Sequence, residues 1–292
     1  MQWHEGYTVD STGTFAVAHL TPQQACARCR GTGRVEVEQA EALTWPTGNP
    51  QAHPLQAGAS LRSGKVMRVL RCRCQMLPDR VAMFNRARIP SRHAQCTLES
   101  FRPELEGRRE PWTITRRWLD TFDPQNSAQQ GMVWLGEPGR GKTHLMVGAL
   151  RELIFRYGVE CRFVEFTHLI SSIREGFDRG DGEAVTLTPL VQVPILAIDE
   201  LGKGRKTEFE LSVIDEIITR RYNARRRILA TTNFPLRGNE NRSRGPQSSS
   251  LASGSVESLD DRLGERVYSR LYEVVNLVPV SGEDFRKTRG RF

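Results

Sequence analysis

Residues 134–150, WLGEPGRGKTHLMVGAL, constrain the fold more than any other stretch. A short apolar run breaks into glycines, reaches a lysine and a threonine, and resumes an apolar pattern at helical spacing. GEPGRGKT fits Gly-x-x-x-x-Gly-Lys-Thr at Gly136, Gly141, Lys142 and Thr143, between an expected strand and an expected helix. Such a turn lets backbone amides close around phosphates, and the helix N-terminus adds partial positive charge. The expected nucleotide cradle is therefore Gly136, Glu137, Pro138, Gly139, Arg140, Gly141, Lys142, Thr143 and His144. In it Lys142 would bridge the terminal phosphates and Thr143 would ligate magnesium.

From residue 131 onward, short apolar runs alternate with longer amphipathic ones, the pattern of a parallel sheet flanked by helices in an α/β fold. Strands are expected at 132–135, 162–166, 195–198 and 227–231, with a further apolar run at 274–280, and helices at 143–157, 167–177 and 209–223. Residues 237–258, RGNENRSRGPQSSSLASGSVES, are rich in Ser, Gly and Asn and too polar to order themselves, so a disordered insertion is expected. The expected division is a basic module over 1–95, a connector and lead-in helix over 96–130, and the main α/β core over 131–292.

Hydrolysis also needs carboxylates for magnesium and for the attacking water. VPILAIDELG supplies them: an apolar strand ends in Asp199, placed for the magnesium shell, and Glu200, placed to orient and polarise water. Open α/β sheets bind ligands at such strand ends. The next strand ends in Thr231, Thr232 and Asn233; the Asn233 amide could reach the water or the γ-phosphate, or simply cap a turn. In LGERVYSRLYE, Arg266 and Arg270 lie four apart on one face of an expected helix, where solvated surface arginines are an equally plain reading.

Six cysteines are present, four of them as CARC, Cys26 and Cys29, and CRC, Cys72 and Cys74. Two tight pairs can supply a tetrahedral zinc site, and the long loop between them adds little closure cost. A disulfide pair or unligated thiols are the competing readings. Gly31 and Gly33 follow the first pair, where turns let amides point at the thiolates. Cys96 and Cys161 stand apart and read as ordinary buried residues; His53 reads as a solvated loop histidine.

A net charge of +8 favours a polyanionic partner, and the excess is concentrated: residues 28–92 hold twelve Lys or Arg against four Asp or Glu. Single-stranded nucleic acid and an acidic protein surface both fit. No apolar run approaches the roughly 20 residues that span a bilayer, and the N-terminus has no export pattern, so a cytoplasmic location and no membrane partner are expected.

These parts, in this order, resemble the AAA+ ATPases, in the branch that holds the helicase loaders of the DnaC and DnaI type and the transposase helper IstB. RIPSRHAQCTLESF is similar to that branch's lead-in, GEPGRGKTHL to its Walker A, ILAIDELG to its Walker B, ATTN to its sensor 1, and LGERVYSRL to its arginine-finger segment. The resemblance implies ATP hydrolysis with Asn233 as sensor, and Arg270 as the finger that reaches a neighbouring protomer, with Arg266 beside it. It therefore implies assembly into an open ring or spiral. It further implies single-stranded DNA bound by the GKGRKT loop through Lys203, Arg205 and Lys206, and an N-terminal zinc module that grips the replicative helicase. ATP, Mg2+ and Zn2+ are the cofactors so implied, and loading of the replicative helicase at replication initiation is the activity. Two other readings stay open: an IstB-like helper of a transposase, and a zinc-dependent DNA-binding adaptor holding nucleotide as a structural ligand. The insertion between sensor 1 and the arginine segment departs from the branch, and no helical lid can be placed after Phe285.

Overall fold

The computed structural model describes residues 6–21, 26, 28–38, 59–62, 65–236 and 257–285. The expected disordered insertion lies, as far as residue 256, outside the described residues, as do residues 44–58 and His53. Its last residue, Ser258, is described: its hydroxyl caps a helix reciprocally with Asp261. No described helix is long and apolar enough to cross a membrane. The chain divides into two units, Met1–Gln95 with Leu150–Cys161, and Cys96–Ala149 with Arg162–Phe292.

In the first unit, β1 (Tyr7–Asp10) and β2 (Val17–Leu20) form an antiparallel hairpin. β3 (Arg34–Glu38), β4 (Ala59–Arg62) and β5 (Lys65–Arg71) form a second, antiparallel sheet with β5 in the centre. β3 alternates, with Val35 and Val37 buried and the charged residues between them exposed, the period of a strand with one wet face. Helix α1 (Leu77–Ala87) starts at a proline, where the missing N–H costs nothing, and buries Leu77, Val81 and Phe84. Sequence periodicity did not assign residues 150–161 to this unit; aromatic packing does. Tyr7 stacks on Phe155 with ring centroids 4.2 Å apart, Phe84 meets the same ring at 5.6 Å, and Arg151 donates to the Ala94 carbonyl at 2.5 Å.

In the second unit, the lead-in helix α2 (Arg109–Asp120) precedes β6 (Gly131–Leu135), and α3 (Lys142–Glu152) follows it. The helix expected over 143–157 ends as α3 at Glu152 and changes hydrogen-bond register at Leu153–Tyr157, residues of the first unit, as a π-turn closed by Gly158 in the left-handed region. β7 (Cys161–Glu165), α4 (Phe166–Asp178), the short α5 (Glu183–Thr186) and α6 (Thr188–Gln192), and β8 (Ile195–Asp199) follow. Then come α7 (Glu208–Asn223), β9 (Arg227–Thr232), α8 (Leu259–Leu263), α9 (Glu265–Val274) and β10 (Val275–Pro279). The five-stranded sheet has the order β10-β6-β9-β8-β7, and the β10/β6, β6/β9 and β9/β8 pairs are parallel. β6 and β8 are buried at every residue, as strands covered on both faces must be. The helices cover the sheet with apolar stripes; α4 buries Phe166, Leu169, Ile170 and Ile173 against Leu196, Ile198 and Ile214.

Arg221 of α7 is fully buried, and its guanidinium donates to five backbone carbonyls: Leu190, Val191, Val193, Pro194 and Arg227. It thus satisfies carbonyls left over at the end of α6 and ties them to the starts of β8 and β9. Burial, with Arg226 nearby, holds its pKa down to about 9. Arg221→Leu leaves those carbonyls unpaired and should lower the unfolding free energy in urea melts by about 3 kcal/mol. Arg220→Ala, which removes a half-exposed pair with Glu183, should cost no more than about 1 kcal/mol.

Candidate functional site

The sheet order puts β9 between β6 and β8, so the segments that follow these strands meet at one edge. After β6 the chain enters the glycine loop. Gly136 has φ +144°, and a Cβ there would stand 2.3 Å from the Val280 carbonyl oxygen, so only glycine lets the end of β10 pass. Lys142 is buried, and its ammonium donates to the carbonyls of Gly136 at 2.6 Å and Glu137 at 2.7 Å, curled inside the loop. Arg140 pairs with Glu137 on the loop's outer side at 2.5 Å.

Asp199, 2% exposed, ends β8. Its Oδ1 accepts the hydroxyl of Thr143 at 2.8 Å and that of Thr231 at 2.6 Å. The two residues expected to hold magnesium are thus in contact, a hydroxyl and a carboxylate, which are the hard oxygen donors that ion takes. Together with the cradle they fit magnesium nucleotide. Glu200 turns into the left-handed region, φ +56°, a costly conformation for a non-glycine residue. Its amide donates to the Thr231 hydroxyl at 3.0 Å, and Leu201 N donates to the Thr231 carbonyl at 2.7 Å. Its carboxylate receives the Lys203 ammonium at 2.5 Å.

Sequence reasoning singled out Asn233 from this strand end, and the structure places Asn233 exposed just beyond β9. The residue that joins the end of β9 to Asp199 and Glu200 is Thr231, to which the sequence alone assigns no role. A threonine at a strand end reads first as a β-former, and only the β6-β9-β8 order aims its hydroxyl at Asp199.

His144, expected in the cradle, turns its ring to the lead-in, with Nε2 2.8 Å from the Thr97 carbonyl and 3.0 Å from the Ser100 hydroxyl. Burial keeps its pKa below the ordinary histidine value, with the Thr97 carbonyl opposing that shift. Further residues that sequence did not single out lie against the glycine loop. A Cβ on Gly141 would meet the Phe101 ring at 2.8 Å, and the Phe285 amide donates to the Gly139 carbonyl at 3.2 Å. The Arg108 guanidinium lies 5.6 Å from the Phe101 ring and 4.9 Å from that of Phe285.

The two arginines of α9 differ. Arg270 is held on α7 by Asp215 at 3.1 Å and Thr219 at 2.5 Å, while Arg266 is exposed. In the loop after Glu200, Lys203, Arg205 and Lys206 are exposed. The Glu210 carboxylate shapes that loop by accepting the Lys206 amide at 2.8 Å, and Arg262 holds the Gly202 carbonyl at 2.8 Å.

In the first unit the ligand atoms of Cys26, Cys29, Cys72 and Cys74 all lie within 4.8 Å of one another, with Cys26 to Cys72 at 3.9 Å and Cys29 to Cys74 at 3.7 Å. Zinc–sulfur bonds of about 2.3 Å in a tetrahedron give sulfur–sulfur edges of about 3.8 Å, so the four thiols fit a metal. None of them is in a disulfide. Burial pushes the Cys29 thiol up, but the amides of Gly33 and Gly31 and the Cys74 and Cys26 thiols outweigh it and bring the pKa to about 7. Cys161 is buried outside this cluster, with its thiol pushed up by burial, and Cys96 is half-buried.

A family model described as IstB-like ATP binding protein matches residues 117–291. The replicative helicase loader DnaC of Escherichia coli (strain K12) is 27% identical over 189 residues, 64% of this chain and 67% of that protein. A solved structure described as the crystal structure of the DnaC helicase loader matches at 28% identity and a TM-score of 0.53, covering 65% of this chain and 99% of that one. The crystal structure of the DnaI, at 17% identity and a TM-score of 0.50, covers 67% of this chain and 93% of that one and bears on the fold alone.

Thr231→Val removes one of two hydroxyls from a buried carboxylate and should lower the unfolding free energy by about 2 kcal/mol. Thr231→Ser, which keeps the hydroxyl, should retain most of that stability in the same denaturant titration.

Proposed function

Because this chain belongs to the family of IstB-like ATP-binding proteins, we propose that it is an ATP-driven loader of a replicative DNA helicase. It is an AAA+ ATPase. The client is inferred from relatives named replicative helicase loaders. The observation that carries the catalytic reading is the contact of Thr143 with Asp199 at 2.8 Å, immediately before Glu200.

ATP binds in the 136–144 loop, whose amides take the phosphates, and Lys142 leaves the Gly136 and Glu137 carbonyls for the terminal phosphate oxygens. Thr143 and Asp199 hold magnesium, which supplies charge neutralisation on the phosphates when bound. Glu200 orients the attacking water and draws off its proton, and Asn233 stands at the strand end from which an amide reaches the water or the γ-phosphate. Arg266 and Arg270 serve the neighbouring protomer's γ-phosphate in an open ring or spiral; Arg266 is exposed for this as it stands, whereas Arg270 exchanges Asp215 and Thr219 for it. Lys203, Arg205 and Lys206 contact single-stranded DNA. The four cysteines hold zinc and organise residues 1–95 as the docking module, with 96–130 as connector and 131–292 as ATPase core.

The Lys203–Glu200 pair couples these tasks. The ammonium occupies a carboxylate oxygen of Glu200, and a DNA strand that takes the ammonium frees that oxygen for the water. A second reading, in which the client is a transposase acting on duplex DNA, rests on the resemblance to the transposase helper IstB, whose name the matched family carries; ATP-driven filaments on duplex DNA would support it.

Steady-state hydrolysis with and without oligo-dT tests the mechanism. Glu200→Gln should bind ATP as the wild type does and lose turnover by about a hundredfold or more. Lys203→Ala should raise DNA-independent turnover and blunt stimulation by oligo-dT. Unchanged hydrolysis in Glu200→Gln would contradict the assignment. The purified chain should carry one zinc per molecule, and Cys26→Ser with Cys29→Ser should lose it by elemental analysis.

A further inference from the structure

Arg108, beside the glycine loop, is a buried cation with no counter-charge among the described residues. It is 6% exposed, and its guanidinium carbon lies over the faces of two rings, Phe101 at 5.6 Å and Phe285 at 4.9 Å. Its one side-chain hydrogen bond to a described residue is long, from Nη1 to the Phe101 carbonyl at 3.5 Å. Burial holds its pKa below the ordinary arginine value; the exposed Glu104 opposes that from a distance, and Arg102 adds to it. Ring faces attract a cation but cannot take the in-plane N–H groups of a guanidinium, and a buried charge without a partner is costly. The N–H edge of Arg108 is therefore left for an acceptor from outside the chain.

Three relations place that edge at the loop. Phe101 stands against Gly141, and the Phe285 amide donates to the Gly139 carbonyl, so both rings that flank Arg108 belong to segments touching the loop. His144 is held below its ordinary pKa by burial and, more weakly, by the charge of Arg108, which puts that charge near the first turn of α3. The turn that carries Arg108 is fixed from behind: Gly107 has φ +74°, and a Cβ there would meet Gly282 N at 2.7 Å, so only glycine lets this turn lie backbone to backbone on residues 281–282. The neighbours of Arg108 do not include Asp199, Glu200 or Thr231, where the γ-phosphate would react. A guanidinium donates best to charged oxygens, and a nucleotide in the 136–144 loop supplies them. Resting on the reading of that loop as the nucleotide cradle, we infer that Arg108 binds the nucleotide, donating to an anionic oxygen in the part that ATP and ADP share.

The test titrates the full-length protein, in magnesium, with the fluorescent nucleotides mant-ATP and mant-ADP, and compares wild type with Arg108→Gln, Arg108→Lys and Lys142→Ala. Arg108→Gln should weaken both nucleotides by about tenfold or more, and by a similar factor, while its nucleotide-free melting stays cooperative. Arg108→Lys, which keeps the charge and loses the planar fork, should fall between, and it carries the same readout if Arg108→Gln does not fold. A loss confined to mant-ATP would overturn the inference. So would wild-type affinity in the Arg108 variants, with or without a lowered melting temperature, beside a Lys142→Ala that no longer binds; the cradle would then stand and Arg108 would serve packing alone. Unchanged binding in Lys142→Ala would remove the cradle, and the inference with it.

Discussion

One carboxylate oxygen, Oδ1 of Asp199, accepts hydroxyl hydrogen bonds from the glycine-loop helix through Thr143 and from β9 through Thr231, in a place almost closed to solvent. Burying a carboxylate is expensive unless its hydrogen bonds are made, and bonds to a charged acceptor are stronger than neutral ones. The contact is possible only in the observed register, with Trp134 opposite Thr231 and Ile198 opposite Ala230. A one-residue slip of β9 would turn Thr231 to the other face of the sheet. The cost of stranding Asp199 therefore ties β8 to β9 and to the glycine-loop helix, and that alignment brings the phosphate loop, the Thr143–Asp199 pair and Glu200 to one edge.

The same economy of position holds in the loop beyond Glu200. Leu201 is fully buried and bonded through its backbone to Thr231 and Thr232 on both sides, so the chain emerges from β8 in a fixed direction. Arg262 then grips the carbonyls of Gly202 and Gly204 while lying over the Phe234 ring. Three basic side chains are thereby carried on a short, anchored turn, and one of them touches Glu200. In the proposed reading, a nucleic-acid strand that engaged Lys203 would act on Glu200 directly, because the two side chains are in contact.

Much of the second unit was legible in the sequence because its signals are local. The apolar strands are continuous runs, the helices show 3.6-residue stripes, and the glycine loop has fixed spacing, so the strands expected at 132–135 and 195–198 differ from β6 and β8 by a single residue each. What escaped was set by tertiary context. The π-turn at Leu153–Tyr157 leaves no mark in an apolar helical pattern. Arg270 lies on the expected helix face, but its bonds to Asp215 and Thr219 depend on how α9 packs on α7. Phe101, Arg108 and Phe285 come together from segments distant in sequence. In the first unit the strands interleave charged and apolar residues, as in RVEVE and KVMRVLR, so no continuous apolar run marks them, whereas the paired cysteines declared the cluster they form.

Native mass spectrometry of the purified protein mixed with the replicative helicase of its host, in ATP and magnesium, bears most directly on the claim that this ATPase serves a helicase. The account predicts a discrete complex with several copies of the chain on one helicase hexamer. A helicase that stays unbound, beside a protein that still hydrolyses ATP, would contradict it.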